Sequence, residues 1–102
     1  MNALKQQILA LTTNETVQEM LSSDNYISLR KNKDFAAAVT ELRKHLTAEQ
    51  IENYDDECCG VLRFEEETHV DDIVENILLC CKYNDFDDVN DTLNIHFKFL
   101  FG

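Results

Sequence analysis

The chain has 102 residues, 44% of them apolar, which suffices for one hydrophobic core, and a formal net charge of −11. Two glycines, Gly60 and Gly102, and no proline exclude the nucleotide folds, because a Walker A loop needs two glycines and the dinucleotide fingerprint two or three. The sign of the charge argues against direct binding to nucleic acid or to an anionic membrane surface, both of which call for Lys and Arg, and there is no run of about 18 apolar residues to span a bilayer.

Leu4, Ile8 and Leu11 share one helical face and predict a first helix near residues 2–11. This segment has one Lys, is interrupted by Gln6 and Gln7, and lacks the apolar centre of a secretory signal, so a cytoplasmic location is expected. Thr12 and Glu15 have capping-box spacing ahead of a second short helix carrying Val17, Met20 and Leu21. Tyr26 to Arg30 is a weak strand candidate. Phe35, Val39, Leu42 and Leu46 recur every three or four residues and predict an amphipathic helix over 34–46.

The next helix has the best-defined start in the chain. Thr47 can cap, Gln50 can close the box, and Leu46 can staple onto Ile51. Val61 to Phe64 is a candidate strand. Val70, Ile73, Val74, Ile77, Leu78 and Cys81 form one stripe of a helix over 69–82. A short helix is expected after Asp85, with Phe86, Val89 and Leu93 inward. Ile95, Phe97, Phe99 and Phe101 then alternate with Asn94, His96, Lys98 and Leu100, which is the period of a strand. The expected fold is therefore a single α+β domain over 1–102. It has four to six helices and a small two- or three-stranded sheet that includes a C-terminal strand, 94–101. An all-α fold with an extended tail is the alternative.

Charge divides the chain unevenly. Residues 1–48 hold six basic and five acidic side chains, a balance of +1, whereas residues 49–102 hold three basic and fifteen acidic ones, a balance of −12. No linker-like stretch separates the two halves. Some of the acid has a local cause. Glu65, Glu66, Glu67, Asp71 and Asp72 lie at one expected helix start, and Asp85, Asp87 and Asp88 at the next, where the positive end of the helix dipole favours them.

The motifs that could carry chemistry are sparse. The cysteines form two adjacent pairs, Cys58-Cys59 and Cys80-Cys81. Zinc knuckles separate their thiolates by two to four residues, and adjacent positions on a helix point about 100° apart, so reduced cysteines acting as small hydrophobes are the favoured reading. Residues 55–66 carry Gly60, Leu62 and Glu66 at positions 6, 8 and 12 of a calcium-loop frame in which Asp55 is position 1 and Glu57 position 3. The preceding LTAEQIENY is similar to the entering helix of an EF-hand. Cys59, however, supplies no oxygen at position 5, and no second loop is present to pair with the first, so Asp55, Glu57 and Glu66 are weak metal candidates and no cofactor is expected. The histidines, His45, His69 and His96, are scattered, and neither H-E-x-x-H nor G-x-S-x-G occurs. No enzyme is expected.

The acidic half is the remaining functional signal. Its candidate partner-binding residues are Asp55, Asp56, Glu57, Glu65, Glu66, Glu67, Asp71, Asp72, Glu75, Asp85, Asp87, Asp88 and Asp91, with Leu79 as an apolar anchor beside Asp71, Asp72 and Glu75. Concentrated negative charge costs self-repulsion that a basic partner would relieve. The expected function is that of a small acidic inhibitor of the immunity, antitoxin or anti-defence type. It would occlude the basic cleft of a nuclease or other nucleic-acid-handling protein, by simple cover or by mimicking nucleic acid. The alternatives are an assembly or chaperone subunit (a homodimer, for example) paired through the C-terminal edge strand, and a small calcium- or zinc-binding protein.

Overall fold

The computed structural model describes residues 2–57, 70–83 and 88–102. These form seven helices: α1 Asn2–Thr12, α2 Glu15–Ser22, α3 Tyr26–Lys31, α4 Lys33–Arg43, α5 Ala48–Glu57, α6 Val70–Tyr83 and α7 Val89–Phe101. There is no strand among the described residues, whose regular structure is all α-helix, and the expected α+β class with a C-terminal strand is overturned.

With so few glycines and no proline, the chain turns its corners on short polar side chains. Asn14 accepts a hydrogen bond from the Val17 amide at the start of α2, Asn25 from Ser28 at α3, and Asn32 from Asp34 and Phe35 at α4. Each satisfies an amide that the first helical turn leaves without a partner. Asn14, not Thr12, is thus the cap of α2. At the end of α2, Asp24 takes a left-handed φ of 55°. The Asn25 amide then reaches the Met20 carbonyl, and the Asp24 amide reaches that of Leu21. This is the paired bonding of a Schellman closure, with Asp where glycine is usual.

The start of α5 forms as its sequence dictates. The Thr47 amide donates to Gln50 Oε1 at 2.8 Å and the Gln50 amide to Thr47 Oγ1 at 3.2 Å. Thr47→Ala is expected to lower stability by about 0.5–2 kcal/mol in urea denaturation, and Thr47→Ser to restore most of the loss.

Helix α6 is the centre of the domain and packs against α1, α4 and α7. Its expected stripe, Val70, Ile73, Val74, Ile77, Leu78 and Cys81, is buried throughout. Facing it are Leu4, Ile8 and Leu11 of α1, Phe35, Ala38, Val39 and Leu42 of α4, and Leu93 and Leu100 of α7, all buried. The short pair α2 and α3 sits beside α1 and α4, and α5 packs on α7.

The C-terminal segment is the main correction. Residues 94–101 are helical, because two periodicities coexist there and the helical one closes a better core. Thr92, Leu93, His96 and Leu100 recur at three and four residues and are buried. The alternating set, Ile95, Phe97, Phe99 and Phe101, is only half-buried along the flanks. The Asp88 carboxylate accepts from the Asp91 amide at 2.7 Å and fixes the start of α7. A strand here would need a ladder partner to take up its amides and carbonyls. The other described strand candidate, Tyr26 to Arg30, is itself helix α3, held by Asn25 at its start. Val61 to Phe64 lies outside the described residues. With 94–101 helical, an assembly reading built on a C-terminal edge strand, homodimer included, loses its premise.

Candidate functional site

The carboxylates singled out from the sequence fall into three groups. Asp71, Asp72 and Glu75 lie half-buried on the first two turns of α6. Asp88 and Asp91 are exposed at the start of α7. Asp55, Asp56 and Glu57 belong to the last turn of α5, but their side chains lie outside the described residues, as do Glu65, Glu66, Glu67, Asp85 and Asp87 altogether. The α5 helix runs through Asp55 and Glu57, two positions that the calcium-loop frame assigns to the loop itself. Gly60, Leu62 and Glu66 of that frame lie outside the described residues.

The α6 carboxylates do not stand alone. Arg30, at the end of α3, forks across them, its Nε donating to Glu75 Oε1 at 2.9 Å and its Nη2 to Asp72 Oδ1. Asp72 and Glu75 are three residues apart and so meet the guanidinium one above the other on the helix surface. Their side chains are only 15% and 13% exposed, while that of Arg30 is 40% exposed, so the two acids are sheltered and the base forms their outer cover. Burial pushes the Glu75 carboxyl above its ordinary value, the Arg30 hydrogen bond and charge oppose that, and the charges of Asp72 and Asp71 add to the rise. Arg30 in turn is held further in its charged form, chiefly by the bond to Glu75. This pair was hidden in the sequence, since the partners lie 42 and 45 positions apart. Leu79, the expected anchor, is half-buried and packs against the core.

A family-model scan, a search of curated proteins and a search of solved structures each find no match to this chain.

A second polar cluster lies where α5, α6 and α7 meet. The Tyr54 hydroxyl is 2.8 Å from His96 Nδ1 and accepts from Asn76 Nδ2 at 3.0 Å. The His96 ring stands 5.8 Å from that of Tyr54 and meets Phe99 edge-on at 6.1 Å. All three polar residues are buried, with Tyr54 fully enclosed. Cys80 is half-buried with its Sγ 4.0 Å from Asn76 Oδ1, and Cys81 is buried on the core stripe. Buried polar groups demand hydrogen-bond partners, and this cluster supplies them across three helices, which makes it a fastening of the fold. Its members were visible only as positions: Tyr54 follows Ile51 by three, and His96 lies between Leu93 and Leu100 at helical spacing.

Among the described residues no group of three or more His, Cys, Asp or Glu side chains gathers to hold a metal ion, and no helix is long and apolar enough to cross a membrane.

Proposed function

We propose that this chain is a binding protein for a basic partner, an inhibitor that covers the positively charged cleft of a nuclease or other nucleic-acid-handling protein. One observation carries the reading. The acidic half of the sequence supplies three helices that pack together, α7 lying against both α5 and α6. These three helices and the residues joining them hold fifteen of the chain's twenty carboxylates. Among the described side chains, Glu49, Glu52, Asp88 and Asp91 of this stretch are exposed, and exposed negative charge supports long-range attraction to a basic surface.

Asp72 and Glu75 contribute less to this field than their formal charge, since Arg30 neutralises part of it. Asp88 spends its carboxylate on the α7 cap. The exposed carboxylates of Glu49, Glu52 and Asp91 have no such obligation to Arg30 or to a helix cap, and they are the groups on which steering would rest.

A tagged chain recovered from its own cells should bring down a basic protein, and the association rate of the pair should fall steeply as salt rises. Asp91→Lys should slow association several-fold at low salt and leave dissociation nearly unchanged, as measured by stopped flow or surface binding. An association rate that is flat from low to high salt would overturn the proposal.

A further inference from the structure

We draw no further inference here: the strongest candidate, the buried Tyr54–Asn76–His96 cluster where α5, α6 and α7 meet, belongs to the fastening of the fold already described, and a switch built on His96 would turn on contacts that lie outside the described residues.

Discussion

Tyr54→Ala is expected to destabilise the domain by about 3–5 kcal/mol, and Tyr54→Phe by about 1–2 kcal/mol. The larger figure combines lost burial of a fully enclosed ring with the cavity left behind. The smaller one isolates the hydroxyl, which lies 2.8 Å from His96 Nδ1 and accepts from Asn76 Nδ2 at 3.0 Å. Domains of this size have a total stability of about 5–15 kcal/mol, so the alanine variant sits close to unfolding. The loss should also be local. Among the described side chains of α5, Tyr54 alone is buried, with Ile51 and Gln50 half-buried and the rest exposed. The helix packs chiefly on α7. Native-state hydrogen exchange should therefore show α5 amides opening at much lower free energy in Tyr54→Phe than in the unaltered chain, with α1, α4 and α6 shifted far less. A uniform shift over all helices would mean that α5 unfolds only with the whole domain.

What the sequence makes legible follows from where each signal resides. A helix start is written in four or five consecutive residues, and the Thr47–Gln50 box forms as read. A core stripe is written in the period of one helix, and Val70 to Cys81 is buried position by position. The C-terminal segment misleads because Ile, His and Phe satisfy both periods at once. What decides between them is a partner surface, α5 and α6, that lies elsewhere in the chain. The α3 segment misleads for a related reason: six residues around a β-branched Ile27 carry little periodicity, and the cap that commits them to a helix is Asn25, just outside.

The acid of the second half was legible as charge but not as surface. The sequence places Asp71, Asp72 and Glu75 on the helix that carries them. It does not reveal that Arg30 reaches across from α3 to cover two of them, nor that Leu79 turns toward the core while Tyr83, two positions beyond the last residue of the stripe, turns out. Tyr83 could have been found by extending that stripe, since 82 and 83 fall off it. Arg30 could not, because no local pattern records a contact 42 residues away.

The Arg30 fork carries the second large effect, and its signature is a dependence on pH. The Glu75 carboxyl is pushed above its ordinary value of 4.5 chiefly by burial, with Arg30 opposing the rise. A carboxyl whose value is raised in the folded state binds its proton more tightly when folded. Its contribution is therefore favourable at low pH and is lost as pH climbs from the ordinary value through the raised one. Glu75→Gln removes that loss and keeps an oxygen to accept from Arg30 Nε. Relative to the unaltered chain, this variant should become progressively more stable between pH 4 and pH 7. Arg30→Ala acts in the opposite sense. It leaves Asp72 and Glu75 sheltered with no cation between them and with Asp71 adjacent, so Glu75 rises further and ionising it costs more. The deficit of Arg30→Ala should be smaller at pH 4 and reach about 1–2 kcal/mol at pH 7, below the range for fully buried pairs because the Arg30 side chain is 40% exposed. Combining Arg30→Ala with Glu75→Gln should recover part of that deficit at pH 7 and little at pH 4. Urea midpoints of the four proteins at the two pH values decide the matter. A deficit for Arg30→Ala that is the same at both would show that the charge of Arg30 does not matter.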